Sequence, residues 1–207
     1  MSPQSNQGRN REAADPAGSR AQQRRVAVLA WGSLKWRLDV LRVRGEWHED
    51  GPILPLEFSK RSSKGRLTLV IDEVNGVPCR SGWWESGLER ISDAIANLAD
   101  REGMGRIGFV DAINGESKGR DPEVVATIEA WLSTTSMSAV IWTDLSADFQ
   151  KKTGRPFSVD NAIAYLRGLG GEERDAAFEY LERAPASVKT PLRRRAIAAG
   201  LIAVGPE

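Results

Sequence analysis

Four consecutive residues, Trp31-Gly32-Ser33-Leu34, follow a short apolar run and join a glycine to a hydroxyl. Glycine lets the backbone turn sharply and lets a ligand approach it. Successive amides in such a turn form a concavity suited to an anion or a developing oxyanion. The pattern is neither a nucleophile elbow, which needs glycines on both sides of the serine, nor a phosphate loop, which needs a lysine beside the Ser/Thr. Its plain reading is a strand-ending turn with a core tryptophan. Glu57 is an isolated acid among apolar residues on a predicted strand. Partial desolvation there raises a carboxyl pKa and makes a general base, whereas simple period-two alternation puts Glu57 on the solvent face. Cys79 becomes a nucleophile only with a base or cation beside it and otherwise reads as a buried, inert thiol. His48 lies in the polar stretch 45–50 and reads as exposed. With one histidine and one cysteine, the chain has no zinc site built on two histidines and no internal disulfide. No metal or cofactor is expected.

The elements that must position these groups follow from periodicity. Residues 26–31 form a short continuous apolar run and predict a buried strand. Segments 53–59 and 66–72 predict a hairpin, with Leu54, Leu56 and Phe58 sharing one face and Pro55 marking an edge or a bulge. Asn75-Gly76 marks a turn, and 78–84 reads as one short strand. Leu88, Ile91, Ile95 and Leu98 predict a helix over 87–101 that stops at Gly103. A strand at 107–112 follows, and Asp121-Pro122 opens a helix to 132. A further strand covers 139–143, and helices cover 158–169, 172–183 and a segment from Thr190-Pro191 with Arg193, Arg194 and Arg195 on a solvated face. Trp31, Trp84, Trp131 and Trp142 read as core, while Trp36 and Trp47 are placed to wall a pocket. Strands first and helices clustered later predict an α+β protein. The lack of a regular βαβα alternation argues against a doubly wound sheet.

The chain has 207 residues, of which 41% are apolar and 28% charged, enough to bury one core. Its 29 basic and 28 acidic side chains nearly cancel, which argues against nucleic acid or an anionic membrane as partner. Residues 1–25 carry a net charge of +3 and no Val, Ile, Leu, Phe, Trp or Tyr, and predict a disordered tail ahead of a single domain over 26–207. No transmembrane run or secretory signal is read from the sequence, and the expected location is cytoplasmic.

Two stretches carry a family resemblance. The aromatic-Gly-Ser-Leu loop resembles the signature of gamma-glutamylcyclotransferase-like proteins, usually Tyr-Gly-Ser followed by Leu or Asn, with tryptophan here in the tyrosine's place. Downstream, Ala96-Asn97-Leu98-Ala99-Asp100-Arg101-Glu102-Gly103 is similar to the family's helix end, a leucine and an aspartate followed shortly by Glu-Gly. The order strand, loop, hairpin, short strand, helix, Glu-Gly agrees over residues 26–112. Segments 140–145 and 181–195 look like a bacterial branch of these proteins and carry no assigned chemistry.

The resemblance implies a small mixed β-barrel with flanking helices and a helical C-terminal third from about residue 158. It implies release of 5-oxoproline from gamma-glutamyl compounds, by attack of the substrate's own α-amine on its γ-carbonyl, with no metal or cofactor. That chemistry demands a base for the α-ammonium, donors for the oxyanion and a substrate folded so that amine meets carbonyl. The resemblance assigns substrate binding to Trp31, Gly32, Ser33 and Leu34, and the base to a glutamate on the strand before the helix. The matching strand, 77–84, holds no acid. If Gly82 aligns with the family's glycine, Cys79 takes the glutamate's place, and a thiol of ordinary pKa about 8.5 is a poor substitute. Three readings stay open: Glu57 on the neighbouring strand is the base, Cys79 serves nucleophilic chemistry, or the pocket binds without turnover. The expected activity is cyclising transfer on a small gamma-glutamyl or related amide, with Glu57 as catalytic residue. The alternative is a non-catalytic small-molecule-binding module using the same pocket. A third reading is a protein-interaction adaptor built on the basic tail and terminal helices.

Overall fold

A computed structural model describes residues 24–103 and 105–203. In chain order it begins with β1 (Val26–Ala30), β2 (Val43–His48), β3 (Ile53–Arg61), β4 (Leu67–Ile71), β5 (Val77–Arg80) and β6 (Gly82–Ser86). Next come α1 (Ile91–Arg101), β7 (Ile107–Asp111), β8 (Glu116–Lys118), α2 (Pro122–Leu132) and β9 (Ala139–Thr143). Four helices complete the order: α3 (Phe149–Thr153), α4 (Val159–Gly168), α5 (Gly171–Arg183) and α6 (Pro191–Ala198). The architecture is mixed α+β. Six strands form one mixed sheet in the order β2-β6-β1-β9-β7-β8, and three form a second, β4-β3-β5. Among the described residues the strands do not close into the barrel expected from the resemblance; the larger sheet keeps open edges at β2 and β8.

β1 is continuous in apolar character because both its faces are buried. Ala27 and Leu29 join the core shared with Leu54, Leu56 and Phe58 of β3, while Val26, Val28 and Ala30 pack with Ala94 and Leu98 of α1. β1 is antiparallel to β6 and parallel to β9, so β1 and β9 end on the same side of the sheet. α1 begins at Ile91, four residues later than its periodicity suggests, and its end is closed by Gly103 at φ +67°. α2 begins as expected: the Asp121 carboxylate accepts the amides of Glu123 and Val124 at 2.7 and 3.1 Å, and Pro122 occupies the first turn.

The predicted strand 78–84 is two strands in different sheets. β5 pairs with β3, and β6 pairs with β1 and β2. The switch occurs at Ser81, whose amide and hydroxyl both donate to Pro52 O at 3.0 and 2.8 Å. The polar stretch 45–50 contributes to edge strand β2, where a charged outer surface limits pairing with other chains. β3 is central in its sheet, not an edge. Pro55 lies directly opposite Pro78, a position that must be a non-hydrogen-bonded pair because neither residue has an amide to exchange. Arg24 and Arg25, assigned from composition to the tail, belong to the fold: Arg24 pairs with Asp111, and Arg25 with Glu85 at 2.7 Å. The rest of the tail reading, residues 1–23, lies outside the described residues. Among the described residues no helix is long and apolar enough to cross a membrane.

Candidate functional site

The Trp31–Leu34 segment leaves β1 and curls into a single helical turn, with Lys35 N donating to Gly32 O at 3.0 Å and Arg37 N to Ser33 O at 2.7 Å. Two indoles fix it from opposite ends. Trp31 Nε1 donates to Leu69 O at 3.2 Å, and Trp84 Nε1 donates to Leu34 O at 2.9 Å. The turn borders a cavity of about 90 Å³ at the ends of β1 and β9. This is well below the roughly 300 Å³ at which ordinary small-molecule pockets begin, so it admits a compact head group and leaves the rest of a ligand outside. The other walls come from Arg66 and Thr68 at the start of β4, Arg101 and Glu102 at the end of α1, Thr143 of β9, and Tyr180 of α5.

Arg101 ties the two halves of the site together. Its guanidinium donates to Ser33 Oγ at 3.2 Å, to Arg37 O at 2.7 Å and to Glu102 Oε1 at 2.8 Å. Burial pushes the Glu102 carboxyl above the ordinary glutamate range, against the Arg101 and Arg66 guanidiniums, which pull it down. Its place at the C-terminal end of α1 acts in the same direction as burial, because the negative end of a helix disfavours a carboxylate. A carboxyl displaced in this sense is a better proton acceptor near neutral pH.

Tyr180 forms the innermost wall. Its ring meets Trp36 and Phe58 edge-on at centroid distances of 5.7 and 6.1 Å. Its hydroxyl lies against Gly32, where a Cβ would collide with it, and the amides of Ser33 and Leu69 face the oxygen. Burial raises the phenol pKa, which keeps the hydroxyl protonated and able to donate.

No protein-family model, curated protein or solved structure matches the chain.

Trp31, Gly32, Ser33 and Leu34 all line this cavity, but Glu57 does not. Nor does Glu57 face solvent. It is fully buried beneath α6, where Oε1 accepts Phe58 N at 2.8 Å and Oε2 accepts Leu192 N at 3.4 Å. Burial raises its pKa, opposed by those amides and the Thr190 hydroxyl. Glu57 thus anchors the first turn of α6 to β3. Cys79 is buried in the core opposite Leu54, and burial pushes its thiol pKa up, the opposite of an activated nucleophile. His48 is exposed and stacks on Trp83 at 4.0 Å.

Of the two tryptophans expected to wall a pocket, Trp36 supports Tyr180 from behind and Trp47 packs on Trp84. Trp84 and Trp131 are half-buried rather than core. Arg193 is not on a solvated face; it is buried and donates to Pro185 O, Val188 O and Glu182 O. Among the described residues no group of three metal-ligating side chains comes together.

Three wall residues escape sequence reasoning about chemistry. Glu102 lies inside the second family-like stretch, whose Glu-Gly was the available signal. Arg66 and Tyr180 carry no local signal, because they reach the cavity through the packing of β4 and α5.

Proposed function

We propose that the chain is a gamma-glutamylcyclotransferase-like enzyme whose base is Glu102. One observation carries the reading: the two stretches that resemble that family, far apart in sequence, meet in a single cavity through the Arg101–Ser33 hydrogen bond. Glu102 takes a proton from the substrate's α-ammonium. The freed amine attacks the γ-carbonyl carbon, forming the ring C–N bond, while donors of the Gly32-Ser33 turn receive the oxyanion. The departing nitrogen takes the proton held by Glu102, and the tetrahedral intermediate collapses with cleavage of the original amide C–N bond. The ring nitrogen, cationic after its attack, gives up its second proton to the freed Glu102 carboxylate, which passes it on to the departing amine, so that the amine leaves as an ammonium and the carboxylate is regenerated. The products are 5-oxoproline and a free amine. The chemistry draws on the substrate's own nucleophile and needs no metal or cofactor. The finer fold assignment belongs to the same proposal; it is supported by the order of strand, loop, helix and Glu-Gly around the cavity rather than by a closed barrel.

The small cavity and the Tyr180 hydroxyl lying against Gly32 favour a second reading, a binding module that holds a small carboxylate or amide without turnover. Incubation with a panel of gamma-glutamyl dipeptides and glutathione, followed by assay of 5-oxoproline, separates the two. Release that is lost in Glu102→Gln supports the enzyme. Saturable binding without release supports the module.

A further inference from the structure

The two guanidinium groups at the cavity are not equivalent. Arg101 is spent on Ser33, Arg37 and Glu102. Both have an Nε sealed from solvent with no acceptor, but Arg66 differs in that its Nη groups also have no hydrogen-bond or ion-pair partner among the described residues. Folded proteins rarely leave a buried donor unpaired, and such a group calls for an explanation. The close neighbour of the guanidinium is the Tyr180 ring, with the Arg66 Cζ 4.2 Å from its centroid. A cation over an aromatic face is held in orientation without its N–H groups being used. The cavity thus presents an oriented planar fork, still able to donate, beside the Gly32-Ser33 turn.

We propose that Arg66 is the carboxylate receptor of this cavity, taking the α-carboxylate of a glutamyl head group while Tyr180, a positioning residue, holds the guanidinium plane from behind. The inference rests on the gamma-glutamyl reading of the site and adds to it the residue that selects a free carboxylate. The charge inventory favours a monoanion. Among the charged residues that line the cavity, Arg66 and Arg101 stand against Glu102 alone, a net charge of +1. A dianion such as a phosphate monoester would meet the Glu102 carboxylate at close quarters. The fork of an arginine matches a carboxylate in two parallel hydrogen bonds, and about 90 Å³ is scaled to such a head group.

The test is binding, so it does not depend on turnover. L-5-oxoproline and its neutral primary amide are titrated into the full chain and followed by NMR chemical-shift changes. The acid is expected to bind at least about tenfold more tightly than the amide, as hydrogen bonds to charged groups provide. Arg66→Gln abolishes that preference, Tyr180→Leu reduces it and Tyr180→Phe keeps it. Arg195→Gln, which removes an exposed charge on α6, also keeps it. If Arg66→Gln does not fold, Arg66→Lys replaces it and is expected to weaken the preference, because an ammonium lacks the fork.

Equal binding of acid and amide by the wild type, no binding of the acid, or an undiminished preference in the Arg66 variant overturns the proposal. The two ideas fail separately. Acid-selective binding with no release of 5-oxoproline from any gamma-glutamyl amide leaves the receptor standing and removes the cyclotransferase. Turnover at an unchanged KM when the substrate's α-carboxyl is amidated removes the receptor and leaves the cyclotransferase.

Discussion

Arg101 and Ser33, separated by 68 positions in the chain, are joined by a 3.2 Å hydrogen bond from guanidinium to hydroxyl. The same guanidinium holds Glu102 at 2.8 Å, so the end of α1 and the turn after β1 act as one unit. Arg101→Met should release both. Glu102 then loses the cation that lowers its pKa. The pKa rises further, and stability falls by about 2 kcal/mol; the roughly 3–5 kcal/mol of a fully buried pair is not reached because water touches both side chains. Urea denaturation and the pH dependence of ligand binding measure the two effects.

Glu102→Gln and Glu57→Gln should behave oppositely. The first abolishes cyclisation, by a factor of about a hundred to ten thousand, while leaving the fold intact. The second leaves turnover unchanged, because Glu57 does not line the cavity. Glu57→Leu strands the Phe58 and Leu192 amides, each at a cost of about 1–3 kcal/mol. A lower urea midpoint at unchanged slope is the expected signature. Turnover lost in Glu57→Gln but kept in Glu102→Gln would return the chemistry to β3.

Both glutamates have folded-state pKa values above their unfolded ones, which gives the pH dependence its sign. Between the unfolded value of about 4.3 and each raised value, the native state binds more protons than the unfolded chain, so stability falls as pH rises. The contribution is fully favourable below the unfolded pKa and is lost as pH climbs through the folded one. Glu57→Gln should flatten that descent in a pH series of unfolding free energies. In the same series, the acid limb of any turnover should lie above the ordinary glutamate range.

Gly32 and Tyr180 should be energetically coupled. Gly32→Ala puts a methyl group onto the Tyr180 hydroxyl and displaces α5. Tyr180→Phe removes the obstructing oxygen, so the double variant should recover part of the loss. A coupling of about 0.5–3 kcal/mol is expected from a double-mutant cycle for groups in contact. Strict additivity would mean that the phenol does not press on the turn.

Cys79 should be nearly silent in native protein. Its burial predicts labelling by a thiol reagent much more slowly than in urea. Cys79→Ala should keep any turnover and cost about 1–2 kcal/mol for the small cavity it leaves.

What could be read from the sequence was what is local. β1 announces itself because burial on both faces leaves an unbroken apolar run. α2 announces itself because its cap and first-turn proline are adjacent residues. The Trp31–Leu34 turn and the Glu102-Gly103 helix end each left a short pattern, though only folding shows that they share a cavity. The break at Ser81 left none, because consecutive extended residues look alike whether they serve one sheet or two. Glu57 misleads for a related reason: alternation along β3 says which residues share a face, and α6, more than 130 residues later, decides that this face is covered. Arg66 and Tyr180 become chemically meaningful only beside each other.

The pairing of β1 with β9 also governs when this protein can fold. Val26 finds its parallel neighbour at Ala139, so the middle of the larger sheet closes on a contact more than a hundred residues long. Parallel pairing at that separation is entropically slow to form. During synthesis at about 5–20 residues per second, the apolar segment at the start of the domain must wait several seconds for its partner to be made. β3, β6 and α1 are made earlier and can cover its faces and its other edge, but the edge that β9 will occupy stays open until then, which makes that edge the natural point of chaperone engagement and the weak point for aggregation during expression.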